Sequence, residues 1–158
     1  MQKKFKTVAV GGTFDEFHKG HRILLFKAFE VGEQVLIGLC SDEFFKKLNK
    51  PHPAAPYKKR LEELKDFLHD YGFLERAKII PLNDVYGVTL RKDNLDALIV
   101  SKETEPMGHV INGERKERGL SPLKIVVIDM VPSENHAPIS TTRIHRGEID
   151  REGHLLKT

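Results

Sequence analysis

Short runs of apolar, mostly β-branched residues recur along the chain, and each run is continuous rather than alternating with polar residues. The runs cover positions 8–10, 35–39, 78–80, 98–100 and 125–128. Continuous apolar runs of this length are typical of strands that are buried on both faces of a parallel sheet. The pattern therefore predicts five buried strands.

Helical spacing occupies several of the intervals between these runs. Between the second and third runs the apolar positions lie three or four residues apart; they are Tyr57, Leu61, Leu64, Leu68 and Tyr71. This spacing predicts one buried face of a helix, with Gly72 as its C-cap. A second helix is predicted from near His18 to Gly32, and a short one over 42–48.

Strands that alternate with helices predict the α/β class, with a doubly wound, parallel, five-stranded sheet. The chain has 158 residues, which is the size of one ordinary domain, so we expect a single domain over 1–158. Two segments are not helix or strand in this scheme. Three prolines predict a loop over 49–56, and Asn83, Asp84 and Gly87 predict a turn within 83–94.

The charge pattern argues against a nucleic-acid partner, because the formal net charge is only +3 and the 26 basic and 23 acidic side chains are interspersed. The single cysteine, Cys40, allows no internal disulfide. No segment approaches the roughly 20 apolar residues of a membrane span, and the first apolar run is too short for a signal peptide. We therefore expect a cytoplasmic protein without a membrane partner.

Candidate chemistry begins where the first predicted strand ends, in the segment AVGGTFDEFHKGH. Gly11 and Gly12 allow a ligand to approach the backbone, and His18 and His21 lie one turn apart at the start of the predicted helix. A helix N-terminus attracts anions, so we interpret the segment as a phosphate site. A tight turn, surface histidines, a histidine cap and a metal pair remain as alternatives, with the metal pair favoured least.

A second candidate site is ISTTRI, at 139–144. Ser140 is a good N-cap, Thr141 and Thr142 place hydroxyl groups in the first turn, and Arg143 could reach an anion at that helix end. The alternative is a capped helix without a ligand. Together with the first segment, the pattern indicates a second phosphate clamp.

Lysines follow two of the predicted strands. Lys46, Lys47 and Lys50 come after the second strand, and Lys102 follows the fourth, within VSKET. Clustered lysines are usually a solvated surface. At the carboxyl edge of a doubly wound sheet, however, one of them could enter the ligand crevice.

The motifs GTFD and HxGH, followed far downstream by ISTTR, are similar to those of the HxGH nucleotidyltransferase superfamily. Within it, the chain most resembles the archaeal type of phosphopantetheine adenylyltransferase. Four further segments carry that resemblance: VGGTFDEFHKGH, GLCSDEFFKK, PYKKRLEEL and VSKETEPMGHVINGERKERGL. The downstream motif has STT where SST is commoner, which keeps both hydroxyl groups.

The resemblance implies a Rossmann-like nucleotidyltransferase fold and transfer of AMP from ATP to 4′-phosphopantetheine, with Mg²⁺ on the nucleotide phosphates and dephospho-coenzyme A and pyrophosphate as products. It implies catalytic roles for His18, His21 and Arg143, and a bracing role for Asp15. A homo-oligomer is compatible with it. The implied ATP-binding residues are Gly11, Gly12, Thr13, Phe14, His18, His21, Ser140, Thr141, Thr142 and Arg143. The implied acceptor-binding residues are Thr13, Lys46, Lys47 and Lys102, with Lys50 as an alternative to Lys46 and Lys47.

Two other functions remain open from the sequence. One is a related nucleotidyltransferase that joins CTP to an alcohol phosphate, or ATP to FMN or nicotinamide mononucleotide. The other is a nucleotide-binding module without turnover, against which the intact Thr13, His18, His21 and Arg143 argue.

Overall fold

A computed structural model describes residues 3–91 and 94–156, and all five predicted strands form in it. Their bounds are β1 Phe5–Gly12, β2 Gly32–Cys40, β3 Ala77–Leu82, β4 Ala97–Ser101 and β5 Lys124–Ile128. Neighbouring strands are parallel throughout, in the order β3-β2-β1-β4-β5. The predicted α/β class with a five-stranded parallel sheet is therefore confirmed.

The described part of the chain forms five helices, with the bounds α1 Lys19–Val31, α2 Asp42–Lys47, α3 Tyr57–Asp70, α4 Glu105–Glu117 and α5 Thr141–His145. Of these, α1 to α3 lie where the sequence predicts them, whereas the bounds of α4 were not predicted from the spacing of apolar residues. Short 3₁₀ turns cover Leu74–Arg76 and Gly87–Leu90. The predicted end of α3 is one residue late, because Tyr71 is the C-cap and Gly72 follows it in the left-handed region at φ 72°.

Both faces of the sheet are covered, so the sheet is doubly wound. Val8 and Val10 of β1 belong to a core cluster that contains buried residues of α1 and α3. Ala9, which lies between them, belongs to a separate cluster with Ile111 of α4. This alternation follows from the pleat of a strand, in which successive side chains point to opposite faces.

The direction of winding reverses beside β1. The chain passes from β1 through β2 to β3 on one side, and β4 and β5 then lie on the other side. In doubly wound sheets this reversal opens a crevice at the carboxyl ends of the strands, where ligands bind. Here the crevice lies between the ends of β1, at Gly12, and of β4, at Ser101.

The turn predicted within 83–94 is built on Asp84, whose Oδ1 accepts hydrogen bonds from the backbone N–H groups of Tyr86 and Gly87 at 2.9 and 2.8 Å. Lys92 and Asp93 of that segment lie outside the described residues. The proline-containing segment 49–56 is a loop, as predicted. No helix in the described part of the chain is long and apolar enough to cross a lipid bilayer.

Candidate active site

Two cavities open at the crevice and share part of their lining. The larger has a volume of about 410 Å³ and extends towards β3 and the turn at Asp84. The smaller has a volume of about 230 Å³ and extends towards α1 and α5. Both are lined by Gly11, Gly12, Thr13 and Thr104. Two ligands that fill the two cavities would therefore meet beside the end of β1.

The glycines at this junction are not required by packing within the protein. A Cβ atom added to Gly11 would lie 3.6 Å from its nearest neighbours, an ordinary contact, and one added to Gly12 would lie 3.4 Å from the ring of Phe14. Both glycines line both cavities. Phe14 is buried in the left-handed region at φ 54°, and it lines the smaller cavity.

His18 and His21 form a reciprocal cap at the start of α1. His18 is the N-cap residue, and its Nδ1 accepts the backbone N–H of His21 at 3.3 Å. In return, Nδ1 of His21 accepts the backbone N–H of His18 at 3.1 Å. The two rings are stacked, with centroids 3.6 Å apart. This arrangement has the geometry of a capping box in which imidazoles replace the usual hydroxyl and carboxylate groups.

The cap determines where each imidazole carries its proton. Because both Nδ1 atoms accept hydrogen bonds, the proton of each neutral ring lies on Nε2. Burial, with smaller contributions from the Arg22 and Arg151 charges, lowers the pKa of His18 to about 4. Burial and the neighbouring His18 hold the pKa of His21 well below its usual value. Both rings are therefore neutral at pH 7 and carry Nε2–H donors.

Gly20 of the HKGH segment makes room for this stack. A Cβ atom at position 20 would lie 2.9 Å from Cε1 of the His18 ring, closer than such contacts occur in proteins. From the sequence, a histidine cap and a phosphate site are alternatives. In the structure, the histidines that cap the helix are the same two residues that would donate to a phosphate. The spacing of the motif follows from the cap, because the N-cap and third helical positions are three residues apart.

The second motif lines the opposite side of the smaller cavity. Ser140 is the N-cap of α5, and its Oγ accepts the backbone N–H of Arg143 at 3.2 Å. Thr141 donates its hydroxyl to the backbone carbonyl of Asp15 at 3.1 Å, which ties α5 to the turn after β1. Ser140, Thr141 and Thr142 line the same cavity as His18 and His21. The structure therefore brings the two motifs together, as predicted.

Comparison of the sequence with those of known proteins agrees with this arrangement. A cytidylyltransferase-like family model matches residues 9–147. A phosphopantetheine adenylyltransferase of Methanothermobacter thermautotrophicus is 46% identical over 99% of this chain and 93% of its own length. Another, from Pyrococcus abyssi, is 46% identical over 98% of both chains. This chain belongs to the phosphopantetheine adenylyltransferase family.

Solved structures support the fold assignment. A crystal structure of a protein of unknown function from Archaeoglobus fulgidus is 35% identical, with a TM-score of 0.67 over 77% of this chain and 97% of its own. A bifunctional NMN adenylyltransferase/ADP ribose pyrophosphatase from Francisella tularensis has a TM-score of 0.54 at 18% identity, over 78% of this chain and 37% of its own. The second likeness concerns the fold alone.

Arg143 has a different environment from the one expected in an adenylyltransferase site. Its guanidinium donates to Glu148, Ser133, Pro138 and Asn135 at 2.9 to 3.3 Å. Neither cavity, as formed by the described residues, has Arg143 in its lining. Arg143 therefore braces the loop before α5, and its predicted contact with the ATP phosphates stays a prediction.

Most of the lysines predicted to bind the acceptor in this adenylyltransferase lie outside the cavities. Lys46 and Lys47 are exposed in α2, and Lys102 is 63% exposed and pairs with Asp129 at 3.1 Å. Among the described residues that line the cavities, none of these three is included. Lys50, the alternative, does line the smaller cavity. The pattern of lysines indicated the correct edge of the sheet, but it could not indicate which side chain faces inward.

Lys50 also lies near the shared lining. Burial raises the pKa of the Cys40 thiol, and a hydrogen bond with Thr13 and the charges of Arg60 and Lys50 act in the opposite direction. Lys50 lines the smaller cavity, and Cys40 lines the larger one. Lys50 is therefore the best placed of the predicted lysines for a phosphate at the junction of the cavities.

Arg60 lies in the inward face of α3 and is 1% exposed. This residue was not identified from the sequence as one that supports the site. Its guanidinium donates to the backbone carbonyls of Thr13, Cys40 and Ala55 at 2.7 to 2.9 Å, and to Asp42 at 3.0 Å. It thus fixes the turn after β1 relative to the end of β2. The signal was present in the spacing, because position 60 lies three residues after Tyr57 and four before Leu64.

The predicted bracing role of Asp15 agrees with its contacts. Its carboxylate is buried, and Oδ1 accepts the backbone N–H of Ala55 at 3.0 Å. The other oxygen, Oδ2, lies 3.0 Å from Nε2 of His145, a residue that the sequence analysis did not single out. His145 in turn stacks on His52, with ring centroids 4.4 Å apart. Asp15 therefore joins the turn after β1 to the loop before α3 and to α5.

Proposed function

We propose that this chain transfers the adenylyl group of ATP to 4′-phosphopantetheine, with dephospho-coenzyme A and pyrophosphate as products. The observation that carries the proposal is the pair of cavities that meet at Gly11, Gly12 and Thr13. An adenylyl transfer needs two phosphorylated substrates in contact at one point. The names of the relatives support this choice of substrates.

The smaller cavity suits the ATP phosphates. It is lined by the two histidines of HKGH and by the hydroxyl residues at the N-terminus of α5. Neutral Nε2–H groups and hydroxyl groups donate hydrogen bonds to phosphate oxygens. Because the cap holds both rings in place, these donors need little reorganisation when charge shifts in the transition state.

The larger cavity suits the pantetheine arm. Much of its lining is apolar, from β2, β3, β4, α2, α4 and the segments after α2 and β3. These residues include Leu36, Phe44, Leu48, Leu82, Val85, Leu98, Met107 and Ile111. An extended chain of methylene and amide groups can pack against such a surface, with its phosphate at Thr13. Lys50 is placed to neutralise part of that phosphate's charge.

The reaction needs positioning more than it needs a base. The second pKa of a phosphate monoester is about 6, so the attacking oxygen is already ionised at neutral pH. That oxygen forms a bond to the α-phosphorus of ATP while the bond from this phosphorus to the bridging oxygen of the β-phosphate breaks. Pyrophosphate then leaves with the electron pair of that bond. His18, His21 and the α5 hydroxyl groups stabilise the negative charge on the transferred and departing phosphates.

Magnesium belongs to the nucleotide in this proposal. The described part of the chain has one cluster of potential metal ligands, which consists of Asp15, His52 and His145. Two of these three ligands are imidazoles. Mg²⁺ prefers oxygen ligands in octahedral geometry, so this set does not fit it. The ion would be held by phosphate oxygens, where it neutralises charge, and no protein residue is assigned to it.

A pyrophosphate-release assay tests the proposed function. ATP and CTP are each offered with 4′-phosphopantetheine, glycerol 3-phosphate, FMN or nicotinamide mononucleotide. We expect turnover only with ATP and 4′-phosphopantetheine, because only that acceptor has both the long arm and the terminal phosphate. Turnover with another acceptor and none with 4′-phosphopantetheine would identify a different transferase. ATP binding without pyrophosphate release for any acceptor would identify a binding module.

A further inference from the structure

Asp15, His52 and His145 form a compact cluster at the rim of the smaller cavity, and their ligand atoms all lie within 4.8 Å of one another. We propose that this cluster binds a divalent transition-metal ion of the Zn²⁺ and Co²⁺ type. The proposal concerns binding by these three side chains, so it does not rest on the proposed transfer reaction.

Two of the three ligands are already held by neighbouring groups. The Asp15 side chain is 3% exposed, and Oδ1 accepts the backbone N–H of Ala55 at 3.0 Å. Oδ2 contacts Nε2 of His145, and an ion would take the place of the proton between these two atoms. Nδ1 of His52 lies 3.1 Å from the backbone carbonyl of Pro53, so it carries the proton and Nε2 keeps its lone pair. A histidine that donates one ring nitrogen to a carbonyl and offers the other is the usual form of a metal ligand.

The distances fit coordination with little movement. Zinc bonds to nitrogen and oxygen are about 2.0–2.2 Å long, which puts two ligand atoms of one ion roughly 3–3.4 Å apart. Oδ2 of Asp15 and Nε2 of His145 are 3.0 Å apart. The rings of His52 and His145 are nearly parallel, at 14°. Because parallel rings do not direct both lone pairs at one point, the His52 ring must rotate to complete the set, and its ligand atom lies within 4.8 Å of the other two.

An ordinary ion pair does not account for the whole cluster. Asp15 and His145 alone would make a pair, yet His52 stacks on His145, and among the described residues its Nε2 has no hydrogen-bond partner. Two imidazoles and one carboxylate are a ligand set that zinc, cobalt and similar ions favour over Mg²⁺. Asp15 and His52 also line the smaller cavity, so the remaining coordination positions are accessible to water or an anion there.

The test uses the full chain after its metals have been removed by chelation. Co²⁺ is added while its visible absorption is recorded, and Zn²⁺ is then used to displace it. We expect one ion per chain, and binding at least about tenfold weaker in His52→Gln and in His145→Gln. His109→Gln is the matched control. His109 pairs with Glu105 at 3.2 Å on α4, and among the described residues it belongs to no cluster of potential metal ligands.

Thermal unfolding provides a second measurement. Every variant is first compared without metal to establish that it is folded. Zn²⁺ should then raise the midpoint of the wild type and of His109→Gln, but not of the two site variants, since an ion stabilises only a state that binds it. Equal Co²⁺ binding by all four proteins, or none by the wild type, would overturn the proposal. Displacement by Mg²⁺ as effective as that by Zn²⁺ would overturn the assigned class of ion.

Discussion

His18 and His21 each perform two tasks with two different ring nitrogens. Nδ1 of each ring accepts a backbone N–H at the start of α1, which leaves the Nε2–H group to donate into the smaller cavity. Serine, threonine, aspartate and asparagine are better known as N-caps, but a capping serine, threonine or aspartate has no second ring nitrogen that donates in a fixed direction. Histidine at both positions therefore supplies the cap and still leaves a donor on each ring, which the proposed phosphate binding would use.

Gly20→Ala should disturb the histidine pair without unfolding α1. A methyl group there would meet the His18 ring at 2.9 Å, so the ring must move and its Nε2–H loses its direction. We expect kcat to fall by about 10²-fold, comparable to the loss of one preorganised donor. Steady-state kinetics of adenylyl transfer would measure this.

Gly113→Ala is the matched control for that substitution. Gly113 lies within α4, and apart from the backbone of its own helix no atom of the described residues lies within 4 Å of the added Cβ. It should leave kcat unchanged and stabilise the protein by about 0.5–1 kcal/mol, since alanine is the better helix former. Equal kinetic effects of both substitutions would show that the space beside His18 is unimportant.

Stability should fall in mild acid because of His18. Its pKa is about 4 in the folded chain, against an ordinary value of 6.5, so between these values the unfolded chain binds a proton that the folded one does not. The free energy of unfolding therefore rises with pH across this window. Above the window, the stabilising contribution of His18 is complete. The expected contribution of His18 is about 3 kcal/mol. Urea unfolding at several pH values would measure it.

His18→Asn keeps a capping side chain and removes this titration. The variant should therefore lose less stability than the wild type as the pH falls from 6.5 towards about 4. His69→Asn is its control, because the His69 side chain is 78% exposed in the last turn of α3. An acid dependence that is identical in the wild type and in His18→Asn would contradict the capping account.

Among the helices, α3 shows how one element can support a site that it does not line. Arg60 extends from it to carbonyl groups at the ends of β1 and β2 and in the loop that precedes α3. Thr13 and Ala55 lie in irregular backbone, and Cys40 is the last residue of β2. The buried guanidinium supplies their hydrogen bonds, so the shape of the turn after β1 depends on a residue 47 positions away from Thr13.

Arg60→Lys should destabilise the protein by about 2–4 kcal/mol. A lysine keeps the charge, but a single ammonium cannot reach all of these acceptors, and buried acceptors without donors cost free energy. Lys59→Arg, the reverse exchange on the neighbouring exposed position, should change stability by less than about 0.5 kcal/mol. Urea unfolding would measure both, and a small effect of Arg60→Lys would mean that water replaces the guanidinium.

Considered as a whole, the molecule brings four distant segments to one crevice. The turn after β1, the loop after α2, the start of α4 and the start of α5 all contribute residues to the smaller cavity; they are represented by Thr13, Lys50, Thr104 and Ser140. Only the topology of the sheet makes them neighbours. Which of the lysines lies at this crevice is therefore determined only by the folded structure.

Lys50→Ala should raise the KM for 4′-phosphopantetheine by roughly tenfold, because it removes a cation close to the proposed position of the acceptor phosphate; a tenfold change corresponds to about 1.4 kcal/mol. Lys46→Ala removes the same charge from the exposed part of α2 and should leave the KM unchanged. Initial rates at varied acceptor concentration would separate the two. The opposite ranking would assign the acceptor to the outer surface of α2.

Periodicity was sufficient to predict the strands, the helices α1 and α3 and the edge of the sheet at which the motifs meet, but it did not identify α4. It reports burial, however, and not the partners of a buried polar group. Arg60 and His145 were missed because their acceptors, at Cys40 and Asp15, are brought close only by folding. For the same reason, the position of Arg143 in its helix did not reveal that loop carbonyls before α5 take up its donors.

The reciprocal histidine cap also limits how the HKGH segment can be transplanted. Its two rings are oriented by the first turn of a helix, and that turn is in part held by the rings. An engineer who grafts the four residues into a loop, or into the middle of a helix, would transfer the side chains without their tautomers or their direction. The smallest portable unit is the strand end, the glycine turn and the beginning of α1 taken together.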